Sequence, residues 1–456
     1  MATPTLKGRA GSAGSADAWN FAFGATLVAV ALFLVVWGLL HRGFFTHHRI
    51  IDTPIYERYG SEMDDGRIPY RDFAVEYPPG ALPVFLIPAL GDADSDTFRL
   101  RFEALMAFLG EAMVICVAIG VVALGGGRRH LLGALGFAAL APLALGPVVL
   151  SRFDLWPAAL TAGALAALVA GRLRLGHAAL GAAIAAKLYP GVLLPLTLVY
   201  VWRRSDKREA LVCGGFTAVV VVLAFLPFLV LAPGGVWDSL SNQADRPLQI
   251  ESLGSGVLLA AHQLFGTSIT MSSSHGSQNL SGTTADMLAV VQTIAQIAAL
   301  LAIWTLFARG PAGRERLLQS SAAALVAFVA LGKVLSPQFL VWLIPVVPLV
   351  RGRRGLAASA LLAAALLLTQ LWFPYRYWDL ALHFAPFPSW AVFVRDLVLV
   401  GLLAVLLRGG LVMSSAWIDR SFQTDARGNP RALMVRTAGG ALGDRDPDRL
   451  AARRAA

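Results

Sequence analysis

Charged residues are scarce in this sequence. They make up 14% of its 456 residues, and hydrophobic residues make up 57%, whereas a soluble protein carries roughly 25% charged residues. The deficit excludes a large soluble domain, because such a domain needs a charged surface. Helices in lipid satisfy their own backbone polar groups, so their side chains can be apolar on every face. The composition therefore predicts a membrane protein.

Cysteine is nearly absent too. The two cysteines, Cys116 and Cys213, both lie inside apolar runs, so the sequence offers no disulfide framework and no zinc-binding spacing. The glycines at 125–127 precede arginines and do not follow a strand, which argues against a nucleotide-binding loop. The net charge of +10 comes from short clusters between apolar runs, a pattern that indicates membrane topology and not nucleic-acid binding.

What the sequence has instead is a series of long apolar runs. Residues 21–40 form a stretch of twenty residues without a charge, which is long enough to cross the hydrocarbon core of a membrane. The stretch exceeds the apolar region of a signal peptide, and no small-residue cleavage site follows it, so we interpret it as an uncleaved first span. Further runs cover 102–124, 131–150, 155–170, 178–202, 211–231, 287–307, 317–350, 356–372 and 391–407.

Two of these runs are predicted to be broken hairpins. Clusters of arginine and lysine mark short cytoplasmic loops, and the runs at 178–202 and 317–350 each begin and end at such a cluster. A single crossing cannot do this. Each run has a proline near its middle, which removes a backbone donor and breaks a helix. We therefore predict pairs of short helices broken at residues 187–190 and 333–337.

The predicted fold is all-α: a polytopic transmembrane helical bundle with about 12 membrane-embedded helices. It contains the two broken hairpins and two large outer loops, at 41–101 and 232–285. This membrane domain covers residues 21–408. Residues 1–20 are predicted to be a cytoplasmic segment. Residues 409–456 are polar with mixed charges, which predicts a cytoplasmic and largely disordered tail.

The outer face collects the polar residues that chemistry would need. Short apolar stretches at 81–90 and 253–265 cannot span a membrane, and they predict interfacial or re-entrant helices within the outer loops. Polar side chains at membrane depth are costly and are therefore candidates for function. The candidates are Asp52, Asp72, Glu76, Tyr77, Arg152, Asp154, Lys187, Arg246, Glu251, Lys333 and Gln338.

These residues suit glycosyl transfer from a polyprenyl phosphate. A carboxylate would accept the proton of an acceptor hydroxyl, and cations would stabilise the charge that builds on the leaving phosphate. The ends of broken helices could be aimed at the same charge. An apolar groove between spans would hold the lipid tail.

Several motifs occur in a fixed order along the chain. They are Asp52 with Tyr56, Pro-Tyr-Arg-Asp at 69–72, Glu-Tyr-Pro-Pro at 76–79, Lys-Leu-Tyr-Pro at 187–190, Arg-Pro-Leu-Gln-Ile-Glu-Ser at 246–252 and Ser-Pro-Gln-Phe-Leu-Val-Trp at 336–342. This order, over residues 20–408, resembles glycosyltransferase family 87, which belongs to the GT-C superfamily of integral membrane enzymes. One departure is Ser-Arg-Phe-Asp at 151–154, where many members carry a sequence like Gly-Gln-Asn.

The resemblance implies a GT-C fold, a polyprenyl-phosphate sugar donor, a site outside the membrane and a general base at an aspartate shortly after the first span. The matching position is Asp52, which also lies in an arginine-rich loop. Asp72 and Glu76 are alternative bases, Asp52 could instead cap a short helix, and Asp72 could form a surface pair with Arg71. No cofactor or metal is expected, although the three carboxylates could together bind a hard divalent cation.

The prediction is therefore an integral membrane glycosyltransferase of the cell (plasma) membrane, with both termini in the cytoplasm and an extracytoplasmic active site. Mannose is the first choice of sugar, because the family resembled includes mannosyltransferases as well as an arabinofuranosyltransferase. The predicted partners are a polyprenyl-phosphate sugar donor, a lipid or glycan acceptor and the lipid bilayer. A transporter or flippase of lipid-linked sugars is the alternative, because broken helices also suit transport. A non-catalytic envelope protein is a third option.

Overall fold

The computed structural model describes residues 10–47 and 50–421, and these residues are mostly helical. The α-helices are α1 (Ala10–Leu39), α2 (Thr53–Asp64), α3 (Leu82–Ala89), α4 (Ser95–Ala123), α5 (Arg128–Leu145), α6 (Leu155–Val169), α7 (Leu173–Ala186), α8 (Leu194–Arg204), α9 (Lys207–Leu231), α10 (Pro233–Ala244), α11 (Leu253–Phe265), α12 (Thr283–Arg309), α13 (Arg314–Ala330), α14 (Gly352–Gln370), α15 (Tyr377–His383) and α16 (Pro386–Ser421). The helical bundle expected from the sequence is confirmed. Residues 1–9 of the predicted segment 1–20 and residues 422–456 of the predicted tail 409–456 lie outside the described residues. Residues 409–421 of that tail, which was predicted to be largely disordered, continue α16.

Six of the described helices, α1, α4, α9, α12, α14 and α16, are long and apolar enough to cross a membrane. Their outward faces carry large apolar side chains. On α9, Val219, Leu223 and Val230 are 56%, 65% and 71% exposed. In water these faces would form a large exposed apolar patch, whereas in a membrane the lipid tails cover them. The chain is therefore a multi-pass membrane protein.

The first predicted hairpin has the predicted form. α7 ends at Ala186, Lys187 adopts an extended backbone conformation, and a short 3-10 helix over Tyr189–Leu193 leads into α8. Pro190 lies within that 3-10 helix, where its missing N–H removes the donor that a continuous α-helix would need.

The second hairpin is broken where predicted, but its second limb is not an α-helix. α13 ends at Ala330, and two 3-10 helices follow, Pro337–Trp342 and Val347–Leu349. Prolines at 337, 345 and 348 remove three backbone donors within twelve residues, which prevents a regular α-helix.

The outer loops contain short elements of their own. α3 and α11 confirm the two predicted short helices. The second loop also holds a hairpin that the sequence analysis did not predict, in which β1 (Thr270–Ser274) pairs antiparallel with β2 (Ser277–Ser281). Its turn residues, His275 and Gly276, both have positive φ, 53° and 64°, as a type I′ turn requires.

Basic loops meet at one end of the bundle. Arg174 pairs with Glu209 at 2.9 Å, and Arg203 donates to Gly310 O at 2.7 Å. α7 begins beside Arg174 and ends just before Lys187, so Lys187 lies at the other end. That other end carries the outer loops.

Candidate active site

A cavity of about 570 Å³ lies among the outer loops and the adjoining ends of α6, α7 and α13. It brings together ten of the predicted site residues from distant parts of the chain. They are Asp52, Glu76, Tyr77, Arg152, Asp154, Lys187, Arg246, Glu251, Lys333 and Gln338. Asp72 does not line the cavity.

Asp52 occupies the N-cap position of α2 but makes no side-chain capping hydrogen bond. Its carboxylate instead contacts the guanidinium of Arg152 and accepts a long hydrogen bond from the Tyr56 hydroxyl, at 3.4 Å. The Asp52 side chain is 22% exposed, whereas that of Arg152 is 7% exposed. The carboxylate therefore stays accessible from the cavity while a buried cation fixes its orientation.

Asp154 is a second carboxylate, and its surroundings differ. It is only 1% exposed, and its Oδ1 accepts from Lys187 Nζ and from Trp342 Nε1, each at 2.6 Å. Lys187 Nζ also lies 4.6 Å from the centre of the Phe153 ring. This oxygen accepts from two protein donors and so holds the Lys187 and Trp342 side chains in place.

The loop around Gly80 packs directly on the end of α7. A Cβ atom at Gly80 would lie 2.5 Å from the carbonyl carbon of Ala185, so only glycine allows this approach. Trp156 Nε1 donates to Gly80 O at 3.0 Å. The loop thereby brings Tyr77 beside Lys187, whose Nζ lies 6.0 Å from the Tyr77 ring centre.

The second outer loop joins the broken end of α13 through Gln249. Its Nε2 donates to Glu251 Oε2 at 2.7 Å and to Ser336 Oγ at 2.9 Å, and its backbone N–H donates to Lys333 O at 3.0 Å. Burial raises the pKa of Glu251 to about 8. Lys333 Nζ donates to Ala244 O at 2.9 Å, and Gln338 forms part of the same wall.

The wall residues missed as site candidates include Gln249, Ser336 and Tyr377. Gln249 and Ser336 lie inside the motifs at 246–252 and 336–342, and that position was the signal available for them. Tyr377 follows a buried turn after α14, and nothing in its local sequence separates it from an interfacial aromatic residue.

Asp72 lies on the exposed surface of the first outer loop. It pairs with Arg71, whose Nε lies 2.9 Å from Asp72 Oδ1, and it accepts from the backbone N–H of Ile68 at 2.7 Å. The hydrogen bond from Arg71 lowers the pKa of Asp72 to about 2. Asp72 thus lies apart from Asp52 and Glu76, the other two carboxylates considered as a cation site, which both line the cavity. Within 10–47 and 50–421, no cluster of three or more His, Cys, Asp or Glu residues could hold a metal ion.

Two arginines of the cavity wall each carry a buried nitrogen atom without a protein partner. Arg152 Nε and Arg246 Nε have no hydrogen-bond partner in the part of the chain that the structure describes. An unpaired buried donor costs about 1–3 kcal/mol, and more when it is charged. Both side chains line the cavity, so each brings an unused hydrogen-bond donor to its wall.

Comparison with known proteins identifies a family match. The model of Glycosyltransferase family 87 matches residues 75–337, a range that contains the predicted site residues except Asp52, Asp72 and Gln338. The structure is similar to the crystal structure of ArnT from Cupriavidus metallidurans bound to undecaprenyl phosphate, with 18% sequence identity and a TM-score of 0.44 over 85% of this chain and 78% of that chain. No curated protein matches the chain.

Proposed function

The chain belongs to glycosyltransferase family 87, and on that premise we propose that it moves a sugar, with mannose the first candidate, from a polyprenyl phosphate to a lipid or glycan acceptor. The chain is a membrane glycosyltransferase. The observation that carries the finer proposal is the contact of the accessible Asp52 carboxylate with the buried Arg152, at the wall of one charged cavity.

Asp52 is the proposed general base. Of the two aspartates in the cavity wall, Asp154 is buried and held by Lys187 and Trp342, whereas Asp52 keeps an exposed fraction of 22%. A base must reach the proton that it accepts. Asp52 meets this condition better than Asp154 does.

Arg152 and Arg246 are the proposed phosphate ligands. Each has a buried Nε that finds no partner among the described residues, and guanidinium groups bind phosphate oxygens with strong charge-assisted hydrogen bonds. Arg152 contacts Asp52 as well, so one side chain would connect the base to the leaving group.

The proposed reaction is a displacement at the anomeric carbon of the sugar. Asp52 accepts the proton of an acceptor hydroxyl as the hydroxyl oxygen forms its bond to the anomeric carbon. The bond between that carbon and the phosphate oxygen breaks, and its electron pair remains on the phosphate. Arg152 and Arg246 then stabilise the charge that the phosphate gains.

The proposed orientation places the cavity outside the cytoplasm, in the cell membrane. Basic loops meet at the end of the bundle opposite to Lys187, and short loops rich in arginine and lysine face the cytoplasm. Both termini are then proposed to be cytoplasmic. A transporter would need a polar site with access from both faces, whereas the charged residues of this cavity belong to one end, so transfer is favoured over transport.

The donor can be tested directly with isolated membranes. Membranes with the wild-type chain, and matched membranes without it, are incubated with radiolabelled polyprenyl-phosphomannose or polyprenyl-phosphoarabinose, and the label is followed into lipid and glycan fractions. We expect chain-dependent transfer from the mannose donor. Transfer from the arabinose donor alone would change the sugar assignment, and no transfer from either donor would contradict the proposed function.

A further inference from the structure

A fully buried ion pair lies inside the membrane-spanning part of α16. Arg395 and Asp396 are both 0% exposed, and Arg395 Nε lies 2.7 Å from Asp396 Oδ1. They occur within the candidate span Pro386–Arg408, roughly 15 Å along the helix axis from its first residue. Charged residues at such depth are costly and mark functional positions.

A contribution to the stability of the fold does not explain this ion pair. Arg395 Nη1 and Asp396 Oδ2 have no hydrogen-bond partner within the described ranges, and a buried pair with unsatisfied atoms is often less stable than an apolar replacement. A role in stability alone therefore accounts poorly for these two charges.

Arg395 reaches the candidate active site directly. Its Nη2 donates to the backbone carbonyl of Glu251 at 2.7 Å, and Glu251 lines the cavity. Asp396 packs against α11, since a Cβ atom at Gly256 would lie 3.3 Å from Asp396 Oδ2. The Arg395 guanidinium also lies 5.9 Å from the centre of the Trp372 ring. α16 is thus tied to the segment that carries Glu251.

We propose that Arg395 is a positioning residue of the active site: it fixes Glu251 in the cavity wall through the Glu251 carbonyl, and Asp396 in turn fixes Arg395. The inference rests on the proposed function, because Glu251 lies beside the donor phosphate only if the cavity binds that donor. The reaction machinery would therefore include an ion pair at membrane depth outside the cavity itself.

The charges of the pair should also act on the Glu251 side chain. Burial raises the pKa of Glu251 most strongly, and Arg395 is the largest of the charges that lower it. The charged and titratable groups that face Glu251 are Arg395, Arg152, Arg246, Asp396 and Tyr377. Removing the Arg395 charge should raise the pKa of Glu251, and removing the Asp396 charge should lower it.

The pH dependence of stability gives a readout that needs no substrate. Because the pKa of Glu251 is raised in the folded protein, its contribution to stability is fully present below about pH 4.5, decreases as the pH rises, and is gone above about pH 8. The unfolding temperature of the purified protein in detergent should fall over this range and then level off. The difference between the pH curves of wild type and Glu251→Gln isolates the component that belongs to Glu251.

The test compares Arg395→Met, Asp396→Asn and the double variant Arg395→Met/Asp396→Leu, which removes both charges if the single arginine variant does not fold. Arg316→Met is the matched control, because Arg316 binds the backbone carbonyl of Phe307 at 2.9 Å in the basic loops at the other end of the bundle. The quantity compared is the pH at which the unfolding temperature stops falling. We expect this pH to rise by about one unit in Arg395→Met, to fall in Asp396→Asn, and to stay unchanged in the control.

Transfer assays then separate this inference from the proposed function. If wild-type protein transfers sugar, the pH profile of kcat/KM should shift to higher pH in Arg395→Met and to lower pH in Asp396→Asn. If it transfers none, the proposed function fails, and the unfolding curves still decide the role of Arg395. A wild type without this pH component, or variants that shift in the same direction or not at all, would overturn the inference.

Discussion

The carboxylate of Asp52 contacts the guanidinium of Arg152, which joins the segment after the first span to the start of α6. The two residues come from different parts of the chain, and Arg152 is almost completely buried. Removing either partner therefore leaves the other uncompensated, and the two removals should have different consequences for transfer.

Arg152→Met should lower kcat/KM for the polyprenyl-phosphate donor by about 10²–10³-fold, as loss of one preorganised transition-state donor does in other enzymes. The variant also leaves Asp52 without its cation. Steady-state kinetics with purified protein measure the effect. Arg99→Met, which removes an exposed arginine paired with Asp96, is the control. Equal kinetics for the two variants would remove Arg152 from the phosphate site.

Asp72→Asn should leave transfer within a factor of about three of wild type, because Asp72 lies on the exposed surface of the first outer loop and such substitutions usually leave the fold intact. Its carboxylate is occupied by Arg71 and the backbone of Ile68 and does not line the cavity. Initial rates at matched protein levels test this. A loss of about 100-fold or more would show that Asp72 reaches the substrate after all.

Lys187→Met should destabilise the protein by about 3–5 kcal/mol, because it leaves the buried Asp154 charge unpaired. The double variant Lys187→Met/Asp154→Leu removes both charges and should recover most of that stability without recovering transfer. Thermal unfolding in detergent measures the stability. A single variant as stable as wild type would show that Asp154 does not depend on Lys187.

Gly80→Ala should destabilise the first outer loop by about 1–3 kcal/mol, the usual cost of overpacking, because the added Cβ would meet the backbone of Ala185. Gly133→Ala in α5 is the control. No atom lies within 4 Å of a Cβ at that position, so alanine should be neutral or slightly stabilising. A Gly80→Ala protein that unfolds like the control would contradict the packing described for the loop.

The apolar spans and the breaks within them could be predicted from sequence because they depend on local features. An apolar run long enough to span, a proline in its middle and a basic cluster at its ends are each visible without knowing the fold. The breaks at Lys187 and before Pro337 were found in this way. The 3-10 helices after Pro337 were not predicted. The rule for finding spans counts apolar residues and does not weigh three prolines against helix formation.

The cavity was only partly predictable, because it depends on contacts between distant segments. The sequence left both Asp52 and Asp72 as possible bases. Only Asp52 lines the cavity, where it contacts Arg152 from a distant part of the chain. The strands of the β1–β2 hairpin are mostly polar, with Met271 and Leu280 as their apolar residues, and they lack the apolar alternation that predicts strands. Arg395 and Asp396 were overlooked because a single charged pair inside an apolar run does not prevent a span.

The transfer rate of Asp52→Asn tests the central claim most directly. Wild type, Asp52→Asn and the exposed control Asp96→Asn are purified, their unfolding temperatures are compared, and kcat is measured with the donor that wild type uses. If Asp52 is the base, Asp52→Asn keeps its fold and loses about 10²–10⁴-fold in kcat, while Asp96→Asn behaves as wild type. Wild-type kcat in a folded Asp52→Asn protein would contradict the account and move the base to another carboxylate.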